Sequence, residues 1–195
     1  MPQVLLNDHL DPSALPAALA QLPDWRRRQA LAYRREHQQL QNAVAYLLLC
    51  KALREGYGIE EKPAFEYGPH GKPVIVGHPE IHFNLSHCNE AVICVTDDGP
   101  IGVDIESVSA FDEEVARYAM NDDELHQILQ APRPDVAFTR LWTRKEAVLK
   151  CSGQGIPNQA ELRNILLSNS LPLVTVDSPD LRYVYSICSS SKASI

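Results

Sequence analysis

Gly99-Pro100-Ile101-Gly102-Val103-Asp104-Ile105-Glu106 constrains this chain more than any other stretch. Val103 and Ile105 alternate with Asp104 and Glu106, which is the period of a β-strand whose successive side chains point to opposite faces. The two acids then share one face, and the two aliphatic residues enter a core on the other. Adjacent carboxylates repel, so a positive partner is expected between them. Mg²⁺ suits that place, because it takes oxygen ligands and commonly one or two carboxylates plus phosphate oxygens. A solvated edge strand with two surface acids fits the same spacing.

The remaining bounds are broad. A chain of 195 residues suits one large domain or two small halves sharing a core. Hydrophobic residues make up 45% and charged residues 22%, the balance of an ordinary soluble globular protein. No apolar run approaches the roughly 20 residues needed to span a bilayer. Met1 to Leu10 lacks the basic and apolar regions of a signal peptide. The five cysteines are odd in number and show no C-x-x-C spacing, which argues against a zinc site or a disulfide framework. They read as reduced, mostly buried thiols of a cytoplasmic protein. A net charge of −7 argues against a general nucleic-acid binder, so an anionic ligand must meet a local basic patch.

Along the chain, Val4–Leu6 reads as a strand, and helical pieces such as Ser13–Ala20 lie between prolines. Asp24 reads as an N-cap. Arg26, Arg27, Arg28, Arg34 and Arg35 follow, either as a landing site for phosphates or as a solvated face paired with Glu36. Leu40, Val44, Leu47, Leu48 and Ala52 predict a long buried helix ending at Gly56 or Gly58. In the loop Tyr67–Pro73, Gly71 permits close backbone approach and Lys72 supplies a charge. Ile81–His87 predicts a half-buried strand presenting Ser86 and His87, and Ala91–Thr96 a second strand. The turn Asp97-Asp98-Gly99-Pro100 predicts a hairpin from there to the Asp104 strand. Asp112 caps a helix to Met120, and Asn121 caps the next with Glu124 at its third position. Asp135 opens a second long helix to Cys151, closed by Gly153 and Gly155. On it, Trp142, Glu146 and Lys150 share one face, with Lys145 beside them. Leu171–Val176 and Leu181–Ile187 read as two strands, and the tail Ser189–Lys192 as frayed.

If the second long helix lies beside the Asp104 strand, Asp104, Glu106 and Glu146 surround one cation with lysines flanking it. That arrangement suits phosphoryl transfer. Three motifs then carry a resemblance: Phe83-Asn84-Leu85-Ser86-His87, Ile101-Gly102-Val103-Asp104-Ile105-Glu106, and Leu141-Trp142-Thr143-Arg144-Lys145-Glu146-Ala147-Val148-Leu149-Lys150, with Gly71-Lys72-Pro73 ahead of them. In this order the chain resembles the 4′-phosphopantetheinyl transferases, of the monomeric, surfactin-synthetase-activating type with two similar halves. The resemblance spans about Tyr33 to Gly155.

The resemblance implies an α+β fold with two similar halves, residues 1–100 and 101–195, related by pseudo-two-fold symmetry. Each half is a small antiparallel sheet packed on a long helix, with the active site in the cleft between them. It implies that Asp104, Glu106 and Glu146 bind Mg²⁺ together with the pyrophosphate of coenzyme A. Lys150 stabilises that pyrophosphate and Lys145 flanks it. Lys72, Pro73, Ser86 and His87 hold the 3′-phosphorylated adenosine end, and Arg35 lies near it. Tyr46 stands where relatives often carry an arginine. A serine of an apo acyl or peptidyl carrier protein attacks the β-phosphate, and 3′,5′-ADP leaves. Glu146 is the first candidate for the base and Glu124 the second. The implied protein is a monomer without nucleic-acid or membrane partners. Two other readings use the same residues: a Mg²⁺-dependent phosphohydrolase, and a non-catalytic module binding coenzyme A or a carrier protein.

Overall fold

A computed structural model describes residues 2–155 and 157–191. The first part of the chain runs β1 (Gln3–Asn7), a 3₁₀ turn (Pro12–Ala14), α1 (Leu15–Ala20), α2 (Asp24–Leu31), α3 (Glu36–Tyr57), β2 (Phe65–Tyr67), β3 (Pro73–Ile75), β4 (His82–His87) and β5 (Val92–Asp97). The second runs β6 (Ile101–Ser107), α4 (Glu113–Ala119), α5 (Asp122–Gln130), α6 (Pro134–Ser152), α7 (Gln159–Ser168), β7 (Leu173–Asp177) and β8 (Tyr183–Ser189). Both parts are α+β. The first has an antiparallel sheet in the order β1-β5-β4 and the second one in the order β6-β8-β7. The helix α3 buries Leu49, Ala52 and Leu53 against Phe83 and Cys94 of the first sheet. The helix α6 buries Ala147, Val148 and Cys151 against Cys188 of the second. Both long helices stop where a glycine takes the left-handed conformation, Gly58 at φ 68° and Gly153 at φ 64°. All five cysteines are free and four are buried. Among the described residues no helix is long and apolar enough to cross a membrane.

Several expectations change. The turn after β5 does not make a hairpin with β6. Both edges of β5 are already paired, with β1 and β4, so the chain leaves that sheet and β6 pairs with β8 instead. β4 and β6 are joined by side chains: Asn84 Oδ1 accepts the Val103 N–H at 2.9 Å, and Ser86 Oγ accepts the Ile105 N–H at 3.3 Å. β6 is buried on both faces from Ile101 to Ile105, so it is no solvated edge. Val103 and Ile105 join Ile93, Val95 and Ile187 in one core cluster, where each large aliphatic side chain contributes roughly 1.5–3 kcal/mol.

Asp24 is the first residue of α2, and Pro23 holds the cap position without a side-chain bond. The dense arginine cluster divides. Arg26 is buried, bonded to Gln29 and the Asn42 carbonyl, with its guanidinium 5.4 Å from the Tyr46 ring centre. Arg27 caps the Leu19 and Leu22 carbonyls. Arg28, Arg34 and Arg35 are exposed. The tail is anchored, because Ser189 belongs to β8 and its hydroxyl donates to Asp97 Oδ2 at 2.7 Å. Lys192 lies outside the described residues. Two elements had no sequence expectation: the β2–β3 hairpin and α7, which Asn158 and Glu161 cap reciprocally.

Gly102 sets how closely α6 approaches β6. A Cβ there would lie 2.3 Å from both the Ala147 carbonyl oxygen and the Cys151 amide nitrogen. Neither backbone atom can turn aside as a side chain would. Gly102→Ala is therefore expected to lower the unfolding free energy by about 2 kcal/mol, read from the urea midpoint. An unchanged midpoint would mean that the helix shifts without cost.

Candidate active site

β4, β6 and α6 converge on three side chains. Lys150 Nζ donates to Asp104 Oδ1 at 2.6 Å and to Ser86 Oγ at 3.2 Å, and Ser86 Oγ lies 3.1 Å from the same carboxylate oxygen. Asp104 is only 3% exposed. Its other oxygen, Oδ2, is buried without a hydrogen-bond partner among the described residues. A buried, unpaired carboxylate oxygen is costly unless something positive reaches it.

The predicted face of α6 exists. Trp142, Glu146 and Lys150 line one cavity of about 440 Å³. Its other walls include Gly71, Lys72 and Pro73 from the loop leading into β3. Trp142 also borders a smaller cavity of about 270 Å³, onto which Glu106 opens. Burial, with Asp104 adding to it, pushes the Glu106 pKa up to about 7 against the pull of Lys150. Burial and Asp104 likewise raise Glu146. The three acids thus carry more negative charge than Lys150 balances. That donor set fits a hard cation, although among the described residues no three His, Cys, Asp or Glu side chains form a ready cage. Oxygen ligands from a phosphate would have to complete the coordination.

The other expected residues are dispersed. Ser86 is at the junction just described. His87 is exposed at the end of β4, and partial burial of its ring, with Lys150 and His37 nearby, holds its pKa below the ordinary imidazole value. Arg35 is exposed at the N-terminal boundary of α3 and does not line the cavity. Tyr46 is a core residue whose hydroxyl donates to the Pro63 carbonyl at 2.9 Å, so it faces no ligand site. Lys72 lines the cavity, but its ammonium bonds three backbone carbonyls.

Lys145 and Glu124 need correction. Lys145 is fully buried, and its ammonium meets the Leu162 and Arg163 carbonyls at 2.9 Å each and Glu124 Oε2 at 2.8 Å. One position along a helix turns a side chain by about 100°, so Lys145 points away from the face of Glu146. Burial lowers its pKa against the opposing pull of Glu124. Glu124 also closes the α5 capping box with Asn121. This pair ties α5, α6 and α7 together; neither residue lines the cavity, though Leu162, whose carbonyl Lys145 meets, does. Glu124→Gln is expected to cost about 1.5 kcal/mol of stability through the weakened bond to a charged partner. Turnover per folded molecule should hold, measured beside the melting curve; a collapse of turnover in the folded protein would restore Glu124 as a base. Sequence reasoning missed Asn84 and Tyr118 as cavity residues. The period-two pattern of β4 did place Asn84 on the face of Ser86, whereas nothing local marks Tyr118.

Residues 100–187 match the 4′-phosphopantetheinyl transferase superfamily. The chain is 37% identical over 113 residues to the 4′-phosphopantetheinyl transferase psf-1 of Bacillus pumilus, covering 56% of this chain and 48% of that protein. It is 30% identical over 141 residues to a 4′-phosphopantetheinyl transferase of Bacillus subtilis, covering 70% and 62%. It is 31% identical over 118 residues to the 4′-phosphopantetheinyl transferase Sfp of Bacillus subtilis strain 168, covering 60% and 52%. The chain therefore spans about half to three-fifths of the length of these relatives. The β6 and α6 motifs that build the Asp104–Lys150 junction lie within residues 100–187, the part of the chain that matches the 4′-phosphopantetheinyl transferase superfamily.

Proposed function

We propose that this protein transfers the 4′-phosphopantetheine arm of coenzyme A to a serine hydroxyl of an apo acyl or peptidyl carrier protein, with Mg²⁺, releasing 3′,5′-ADP. The observation that carries the reading is Asp104, with one oxygen on Lys150 and the other buried and unpaired, beside the cavity lined by Glu146 and Lys150. The names of the relatives support it.

The cavity takes the pyrophosphate of coenzyme A. Asp104, Glu106 and Glu146 would hold Mg²⁺ together with phosphate oxygens, and the bound cation supplies charge neutralisation on the phosphates. Lys150 carries a positive charge toward the oxygen that leaves. Glu146, which lines the same cavity as Lys150, takes the serine proton directly or through one water. Ser86 orients Asp104 and Lys150 through their shared hydrogen bonds.

The test mixes the protein with coenzyme A, Mg²⁺ and a purified apo-carrier protein, and weighs the carrier by mass spectrometry. The expected result is a gain of one phosphopantetheine arm, lost when Mg²⁺ is chelated. Free phosphopantetheine released without any carrier would identify a phosphohydrolase. Coenzyme A binding with no turnover on any carrier would identify a binding module.

A further inference from the structure

Lys72 is expected from sequence to meet a phosphate, yet its ammonium is fully engaged. An ammonium has three N–H donors. The three reach the Ile101 carbonyl at 3.1 Å, the Lys150 carbonyl at 2.7 Å and the Cys151 carbonyl at 3.1 Å. The last two carbonyls belong to the final turn of α6, where backbone oxygens have no partner within the helix. The helix dipole places partial negative charge at that end, so a cation there is favoured twice. Burial lowers the Lys72 pKa, as expected of an ammonium enclosed by protein rather than water.

The surroundings are shaped for this contact. Gly153 follows α6 with φ +64°, and a Cβ there would come within 3.1 Å of Lys72 Cδ, so the glycine leaves a channel for the lysine stem. His70, two residues earlier in the same loop, lies against Gly155, where a Cβ would be 3.4 Å from its Nδ1. The loop between β2 and β3 is therefore fastened to α6 and to the segment after it at two points. Lys72 also stands between two cavities. It lines the one that holds Glu146 and Lys150 and a second, also about 440 Å³, floored by Cys151 and bounded by Pro69 and Ile81.

We infer that Lys72 is a positioning residue: its ammonium latches the β2–β3 loop onto the C-terminal turn of α6 and the start of β6, and so holds the cavity wall and the backbone of Lys150 in register. Its donors face carbonyls, and it offers none to a ligand phosphate. The binding part of this inference rests on the coenzyme A reading above; the latch itself does not.

The test compares wild type, Lys72→Met and Lys72→Arg in the full chain. Amide hydrogen exchange followed by mass spectrometry reads the latch without any ligand. In Lys72→Met, exchange in the loop 68–73 and in the last turn of α6 should rise about ten-fold, and Lys72→Arg should recover part of that protection. Calorimetry with coenzyme A and with 3′-dephospho-coenzyme A reads the consequence. Both affinities should fall in Lys72→Met by the same factor, leaving their ratio at the wild-type value. Unchanged exchange would overturn the latch. A loss confined to coenzyme A, with the dephospho form bound as before, would overturn it in favour of a phosphate ligand. If wild type binds neither form, the coenzyme A reading fails, and the exchange measurement still decides the latch. Should Lys72→Met not fold, Lys72→Gln, which keeps two donors without charge, carries the same comparison.

Discussion

Asp104→Asn is expected to abolish the proposed pantetheine transfer while the protein stays folded. The amide has the shape of the carboxylate and keeps an acceptor for Ser86 and Lys150, the partners at 3.1 and 2.6 Å. What it loses is the charge, and with it the unpaired Oδ2 that fits a cation. Turnover should drop on the order of 10³-fold, as when a preorganised electrostatic group at a reacting centre is removed. The unfolding free energy should move by only about 1–2 kcal/mol, because the ion pair with Lys150 becomes an ammonium–amide hydrogen bond and one buried negative charge disappears. The measurement is turnover across a Mg²⁺ titration beside a denaturant curve. Wild-type turnover with an unchanged Mg²⁺ requirement would remove Asp104 from the cation site. A large loss of stability would make it a structural residue first.

Lys150→Ala is expected to lower the catalytic constant by about 10²–10³-fold, or roughly 2–4 kcal/mol, with the Michaelis constant for coenzyme A nearly unchanged. Spacing alone allows a simpler role for Lys150, an i,i+4 surface pair with Glu146 worth a few tenths of a kcal/mol. The structure turns the ammonium elsewhere, onto the buried Asp104 and onto Ser86. A cation held in that position is aimed before the reaction begins. In the proposed transfer it would stabilise charge on the leaving oxygen more than the bound substrate, so its removal should lower the rate rather than the affinity. Lys150→Arg should rescue part of the rate, since charge is kept while reach and geometry change. Steady-state kinetics on the three proteins decides the matter. A defect confined to the Michaelis constant, or wild-type turnover in the alanine variant, would end this role.

Elements with a strong local signal were legible. Asp112 and Asn121 accept the expected backbone N–H bonds, and the Asn121–Glu124 capping box closes as its spacing requires. The glycine stops of both long helices stand where the pattern puts them, because positive φ is nearly free for glycine and expensive for other residues. The common face of Trp142, Glu146 and Lys150 follows from helical period alone. The helix α7 carried the same kind of signal, Asn158 followed by Glu161, and was readable in principle.

The failures are those where two remote segments compete for one partner. A turn after β5 looks like a hairpin, but hydrogen-bonding edges are finite, and β1, ninety residues upstream, takes the one that β6 would have used. Lys72 and Lys145 are alike in sequence as free cations near a motif. Their partners are backbone carbonyls and an acid brought near by folding, and no local pattern announces those. The sequence by itself determined which residue types are available, which face of β6 and of α6 each occupies, and where α3 and α6 end and α4 and α5 begin, since backbone sterics and periodicity are local. Only the tertiary structure decided which charges remain free to meet a ligand. Burial and long-range pairing set that, leaving Asp104 Oδ2 open while closing the ammonium groups of Lys72 and Lys145.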